Sequence, residues 1–418
     1  MSPGQALIKG LMDPARWTPP RLEFSPDQER RYIQATRASR LTHFMRSGWI
    51  ALICYNLFVF SDRLMVPDVF DQALQVRLLV FTPVALFMLG ISTAGIAFLP
   101  SYASLGAAAI VLLAVLRIGQ GLAFGGSWDG LPSLLSLNAP ENKRGWYAML
   151  GQLGAPIGFI IAAGLFAYLL SALSTADFLD WGWRYPFYVA FAINVVALFA
   201  RLRLVATSEY ARLLEERELQ PVKVTEIVGS QGHNILVGAL AALASYALFH
   251  VVTVFPLSWI ALHSERSISE FLVIQIAGAV LAAGAVVLSG VIADKLGRRN
   301  TLGFLAILIA LFSFFVPHMM GGGDNGQTAF ILIGFVLLGL SYGQAAGAVT
   351  ANFKAKYRYM GAALTSDLAW LVGAGFAPLV ALGLAAHFGL EYVSLYLLSG
   401  AVGSLAALSL NRALELKD

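Results

Sequence analysis

FLVIQIAGAVLAAGAVVLSGVIADKLGRR, residues 271–299, contains the pattern that decides the fold. The run 271–293 has no charged side chain. As a helix it reaches about 34 Å, enough to cross a hydrocarbon core about 30 Å thick. The residues that follow, Asp294, Lys295, Arg298 and Arg299, form the kind of basic cluster that stays on the cytoplasmic side of a membrane. The same alternation extends outward in both directions. Apolar runs recur at 78–99, 107–137, 146–173, 186–202, 235–262, 302–319, 329–350, 360–387 and 392–410, with a shorter one at 48–60. Over 418 residues the chain is 58% hydrophobic and 12% charged, whereas soluble domains carry roughly 25% charged residues. The expected fold is therefore all-α and polytopic, with about eleven hydrophobic segments, and a soluble enzyme is excluded.

Loop charge orients the spans. Lys143 and Arg144, the stretch 203–233, Lys295 with Arg298 and Arg299, Lys354 with Lys356 and Arg358, and Arg412 with Lys417 all fall on one side. The intervening loops at 100–104, 174–185, 263–270, 317–327 and 388–391 contain only Arg184 and Arg266. The net charge of +4 belongs to these cytoplasmic loops rather than to a nucleic-acid surface. The front of the chain departs from the pattern. Residues 1–47 are polar and Arg-rich, reading as a solvated or interfacial helix without a cleavable signal. The run 48–60, about 20 Å as a helix, either crosses or lies short of crossing. The expected organisation is a polar segment at 1–47, an N-terminal bundle at 48–203, a cytoplasmic loop at 204–232 and a six-helix bundle at 233–418.

Four sets of polar or small residues interrupt the apolar spans. Gly290, Asp294, Gly297, Arg298 and Arg299 are spaced G-x-x-x-D-x-x-G-R-R at a cytoplasmic junction. Gly290 permits close helix approach, Asp294 can accept from backbone amides or pair with an arginine, and the basic pair meets the anionic leaflet. Spacing alone also fits an ordinary positive-inside loop. In the span 107–137, Arg117, Gln120, Gly121 and Phe124 follow i, i+3, i+4, i+7 and share one helical face, with Gly125 and Gly126 beyond. An arginine at that depth needs a wet cavity or a partner. Its planar fork suits a carboxylate; the alternatives are snorkelling or a structural pair with Asp129. Gly151, Gly154, Pro156 and Gly158 give close packing and a bend, a conformational element.

The fourth set lies in the C-terminal spans. Tyr246 and His250 fall near the centre of 235–262, with Thr253 and a helix-bending Pro256 following; Asp367 lies in 360–387 beside Thr365, Ser366 and Trp370. An imidazole there either binds a substrate group or proton, or packs as a hydrogen-bonded core residue. The acid either exchanges a proton or pairs with a cytoplasmic base. Gln275, Tyr342 and Gln344 are further candidates for a cavity wall. One cysteine, Cys54, forms no internal disulfide, and no phosphate loop, nucleophile constellation, metal cluster or nucleic-acid motif is present, so no enzyme, cofactor or metal is expected.

LPSYASLG at 99–106, RIGQGLAFGGSW at 117–128, APENKRG at 139–145, GQLGAPIG at 151–158, WGWRYPF at 181–187 and YRYMGA at 357–362 join the 290–299 loop in one resemblance. Over about residues 88–418 the chain resembles the metabolite:proton symporter branch of the major facilitator superfamily, the carriers of shikimate, α-ketoglutarate, citrate and proline/betaine. The resemblance covers roughly the third to twelfth family helices. It implies two six-helix bundles, a central cavity, alternating access and proton-coupled uptake by a multi-pass protein of the bacterial inner membrane. Arg117 would hold an anionic group, Gln120, Tyr246, His250 and Gln275 would line the cavity, and Asp367 or His250 would carry the proton. The partners expected are a small organic acid or zwitterion, protons and the bilayer, with no nucleic acid and a monomeric carrier. Two departures stand out. Ser127 replaces a glutamate usual in the family, and the first two family helices are not recognisable ahead of Leu86. Residues 1–87 resemble instead the membrane-sensor front of bacterial diguanylate cyclases, notably RLMVPD at 63–68. The N-terminal bundle is thus atypical or incomplete, and the competing reading is a non-transporting sensor-like module or an inactive transporter remnant.

Overall fold

The computed structural model describes residues 91–100, 102–125, 139–193, 224–264, 266–345, 353 and 357–410. All lie in the compact unit Asp71–Asp418; the other unit, Met1–Phe70, lies outside the described residues, as do the 48–60 run and the cyclase-like stretch. Every regular element among the described residues is helical. Helices are the one open-ended structure that satisfies its own backbone within lipid, so the apolar composition and this architecture have the same cause.

In the N-terminal half, α1 (Ile91–Ala97) and α2 (Tyr102–Leu105) pack against α3 (Ala107–Gly125). A long span, Arg144–Ala172, follows as α4 (Arg144–Leu150), a single tightened turn at Gly151–Leu153 and α5 (Gly154–Ala172). α6 (Thr175–Asp180) follows, its N-terminus capped by the Ser174 hydroxyl accepting from the Asp177 N–H. The C-terminal half contains α7 (Val224–Ala241), α8 (Leu243–Thr253), α9 (Phe255–His263), α10 (Ile268–Leu296), α11 (Arg298–Gly321), α12 (Gly323–Ala345), α13 (Arg358–Trp370), α14 (Ala377–Phe388) and α15 (Leu390–Leu410). Seven helical segments among the described residues are long and apolar enough to cross a membrane.

Three boundaries differ from the sequence expectation. The span expected at 235–262 is in two parts, the end of a helix Val224–Ala241 and a span Leu243–His263, and the latter breaks between Thr253 and Phe255 because Pro256 has no N–H to continue the ladder. The loop expected at 317–327 shrinks: α11 carries Pro317 inside it and runs to Gly321, and Gly323, at φ 68°, makes the turn into α12. The span at 360–387 is interrupted at Leu371–Gly375 by a π-helical turn. A wide turn leaves carbonyls off the ladder. The Tyr396 hydroxyl answers one, donating to the Gly373 carbonyl at 3.0 Å.

The core lies in the C-terminal half, where Phe255, Phe271, Phe330, Phe335, Leu248, Ile260 and Ile309 are fully buried. With lipid outside, as at exposed Ile118, Phe314 and Leu379, apolar burial drives little association, and helices are held by close backbone approach and interhelical hydrogen bonds. The α10–α12 contact shows this most clearly. A Cβ on Gly339 would collide with the Ala282 carbonyl oxygen and sit 2.8 Å from the Ala285 Cβ, and one on Gly278 would sit 2.8 Å from the Phe335 ring. Gly339→Val therefore overpacks the contact by about 1–3 kcal/mol or more, and the thermal midpoint of the purified protein in detergent should fall by several degrees. Gly284→Ala, where a Cβ meets nothing within 4 Å, should leave the midpoint unchanged. Equal midpoints for both variants would contradict the packing.

Candidate functional site

The helix from Arg144 and α10 pack along their length, as far as Ala163 and Ala167 against Leu272, and their most polar contact is at Gly145. The helix Arg144–Ala172 begins there, and its first N–H groups have no intrahelical acceptor. The carboxylate of Asp294, at the foot of α10, fills that role. Oδ1 accepts from the Gly145 N–H at 2.6 Å and Oδ2 from the Trp146 N–H at 3.2 Å. An acid at a helix N-terminus also meets the positive end of the helix dipole. Arg298 donates to the Arg144 carbonyl at 3.1 Å, while Arg299 donates through Nε to the Leu408 carbonyl at 3.0 Å, in the last turn of α15. The loop 294–299 thus places an acid on one helix start and a base on one helix end.

This contact needs glycine on both sides. A Cβ on Gly290 would lie 2.9 Å from Met149 Cγ and 3.1 Å from the Trp146 Cα; one on Gly145 would lie 2.8 Å from Asp294 Oδ1 and 2.9 Å from the Gly290 carbonyl. Gly297, at φ 81°, turns the chain from α10 into α11 within one residue, a backbone conformation that costs other residues strain. Gly290 makes the close approach and Asp294 the backbone bonds expected of them, whereas Arg298 and Arg299, expected to meet an anionic leaflet, donate to backbone carbonyls instead. Gly145 is visible in the sequence only as the last residue of APENKRG.

Further along the helix lies a small apolar pocket of about 20 Å³, room for about one water molecule, walled by Pro156 and Phe159 from α5 and by Phe249, Thr253, Phe335 and Tyr342 from the C-terminal half. Pro156 is eleven residues beyond Gly145, about 16 Å along the helix. Gly151, Gly154 and Gly158 lie in the same stretch, and no side chain comes within 4 Å of a Cβ built at Gly154 or Gly158. Phe249 and Tyr342 also belong to a ring cluster with Tyr246, His250 and Trp370. Its centroid separations run from 4.9 Å for Tyr246–Trp370 to 6.3 Å for Tyr342–Trp370, mostly tilted or edge-on, as ring quadrupoles prefer. His250 contacts Phe249 and Trp370 at 5.3 and 6.1 Å, and its Nδ1 is buried without a hydrogen-bond partner. Trp370 and Phe249 carry no polar pattern that would have singled them out in the sequence. Only the fold collects them.

The remaining expected residues separate into distinct places. Arg117 donates to Gln120 Oε1 at 3.3 Å, as i, i+3 spacing requires, and Gln120 donates to Thr93 Oγ1 at 2.8 Å. The guanidinium lies 5.7 Å from the Phe187 ring centroid and meets no carboxylate among the described residues. Gly121 and Gly125 continue α3; Gly126, Ser127 and Asp129 lie outside the described residues. No hydrogen bond or ring contact among the described residues joins Arg117 or Gln120 to Tyr246 or His250. Gln275 is fully buried and serves the α8–α9 break, its Nε2 donating to the Val252 and Thr253 carbonyls at 3.1 and 2.8 Å. Asp367, on α13 one turn before Trp370, is exposed and forms no ion pair among the described residues.

The Major Facilitator Superfamily profile matches residues 79–366. Among curated proteins, the inner membrane metabolite transport protein YhjE of Escherichia coli is 33% identical, the match covering 78% of this chain and 76% of that one. The shikimate transporter of Escherichia coli is 29% identical over 83% of this chain and 79% of its own. Among solved structures, the proton:xylose symporter XylE bound to 6-bromo-6-deoxy-D-glucose superposes with a TM-score of 0.56 at 19% identity, covering 78% of each chain.

The glycine contact is open to a direct test. Gly290→Val drives its branched carbons into Met149 and the Trp146 backbone, and the halves should separate at their cytoplasmic ends. Spin labels at positions 143 and 295, both exposed lysines, introduced in a Cys54→Ser background, should show weaker dipolar coupling in the valine variant. Unaltered coupling would mean that close approach at Gly290 does not hold the ends together.

Proposed function

The chain belongs to the major facilitator superfamily, is a multi-pass secondary transporter rather than an enzyme, and, we propose, couples inward proton movement to uptake of a small organic acid or zwitterionic metabolite. The observation that supports this reading is the hydrogen-bonded contact at Gly145, where the helix from Arg144 and α10 meet below a small apolar pocket walled by residues of both halves. A rocking carrier needs contacts between its halves that can be made and broken.

Chemistry narrows the cargo. Arg117 is a fixed cation within an apolar span and has no protein carboxylate opposite it among the described residues. A ligand carboxylate would complete it with paired hydrogen bonds, and a carboxylate is the feature that the organic acids and zwitterions of the family share. The shikimate transporter of Escherichia coli, named for an acid, is among the relatives and supports this class. Of the ring cluster, Phe249 and Tyr342 reach the pocket wall, where they would meet the apolar or cationic part of such a molecule. Asp367 and His250 are the groups placed to exchange a proton: one is an acid without an ion-pair partner, the other an imidazole with an unengaged nitrogen. The protein acts as a monomer in the bacterial inner membrane, the location named for its relative YhjE. The competing reading, a non-transporting module, draws its motive from residues 1–87.

Two variants test the assignment in proteoliposomes carrying an inward proton gradient, with radiolabelled shikimate and proline as probes. Arg117→Ala should lower carboxylate uptake at least tenfold while leaving membrane insertion intact; undiminished uptake would remove the anion site. Asp367→Asn should abolish gradient-driven accumulation yet retain downhill exchange. Loss of both modes together would take the proton role from Asp367, and absence of uptake in the folded wild type would favour the non-transporting module.

A further inference from the structure

One arm of the cytoplasmic closure lies outside the G-x-x-x-D-x-x-G-R-R loop. Gln344, near the end of α12, has no solvent exposure. Its Nε2 donates to the Gly145 carbonyl at 3.2 Å and to Ser289 Oγ at 3.1 Å. The orientation of the amide follows from its neighbours. A carbonyl oxygen only accepts, and the Ser289 hydroxyl directs its hydrogen to the Val286 carbonyl at 2.7 Å. Both neighbours therefore need a donor, which faces the NH₂ towards them and turns Oε1 away. Oε1 is buried and makes no hydrogen bond.

Gly145 is consequently held at both of its polar groups by the opposite half, its N–H by Asp294 and its carbonyl by Gln344. The two bonds differ in character. Asp294 lies half-buried in the last turn of α10, whereas Gln344 reaches the same residue from within the helical core. Its second bond, to Ser289 on α10, stays inside the C-terminal half and does not depend on closure. Of the two bonds that Gln344 donates, separation of the halves breaks the one to Gly145 alone.

We propose that Gln344 is a positioning residue of the transport cycle: it registers closure of the cytoplasmic face at the Gly145 carbonyl. The proposal rests on the alternating-access reading above. It does not require the cargo to be known.

The test uses position 149 as reporter, since Met149 is buried against Gly290 when the face is closed. Met149→Cys is made in the Cys54→Ser protein, and modification by a membrane-impermeant maleimide is followed in inverted and in right-side-out vesicles. Gln344→Glu confronts two acceptors with a carboxylate and should raise labelling from the cytoplasmic side about tenfold. Gln344→Met, close in length and without a donor, should raise it about threefold and carries the test should the glutamate variant fail to fold. Labelling from the periplasmic side should not rise in either, a sidedness that general loosening of the fold would not produce. Ser341→Ala, one turn away and bonded only to Ser245 and Leu338 of the same half, should label as the parent does. Asp294→Asn separates the two levels of the argument. Exposure by Asp294→Asn but by neither Gln344 variant overturns the role of Gln344 and leaves alternating access standing. Exposure by none of the three overturns both.

Discussion

The hydrogen bonds from the Gly145 and Trp146 amides to the Asp294 carboxylate are the constraint on which the described arrangement depends. They join elements nearly 150 residues apart and fix the cytoplasmic ends of the two halves against each other. Hydrogen bonds to a charged acceptor contribute about 1.5–3 kcal/mol each, more than neutral ones. That range is large enough to hold one conformation and small enough to be overcome within a cycle. The paired glycines matter for the same reason: they let the amides come within reach of the carboxylate. A methyl group on either would separate the backbones before the hydrogen bonds could form.

Above the clamp, the C-terminal half is assembled from short rigid pieces joined at places where the backbone ladder fails. Each failure is answered by one side chain from a neighbouring helix. Gln275 serves the carbonyls at the α8–α9 break, Tyr396 serves Gly373 in the wide turn, and Ser404 accepts from the Ala244 N–H at 2.8 Å at the start of α8. Water is scarce at this depth, so an unanswered carbonyl would be costly. Gln275 and Tyr396 maintain broken helices, whereas the buried His250 Nδ1 has no hydrogen-bond partner and Arg117 and Asp367 are exposed without ion pairs among the described residues.

The chemical separation between the Arg117–Gln120–Thr93 group and the ring cluster has a functional sense. A carboxylate-bearing metabolite has one polar end and one body, and the protein presents a cation in the N-terminal half and aromatic faces in the C-terminal half. Engagement of both would require both halves. A ligand that bridges them would couple its own binding to their relative position, which is what makes a carrier differ from a pore.

The helical spans among the described residues were legible in the sequence, because each is set by a local, one-dimensional balance. Roughly twenty apolar residues cross the membrane, charges stay out of it, and basic loops stay in the cytoplasm. The i, i+3 bond of Arg117 to Gln120 was legible for the same reason: it lies within one helix. Tertiary structure alone decided which polar residues serve the backbone and which remain free. Gln275 and Gln344 are chemically identical and both wholly buried, yet one holds a broken helix of its own half and the other grips Gly145 across the interface. Nothing in their sequence neighbourhoods separates them. Their hydrogen-bond partners lie on other helices, and only packing brings those partners within 3.5 Å.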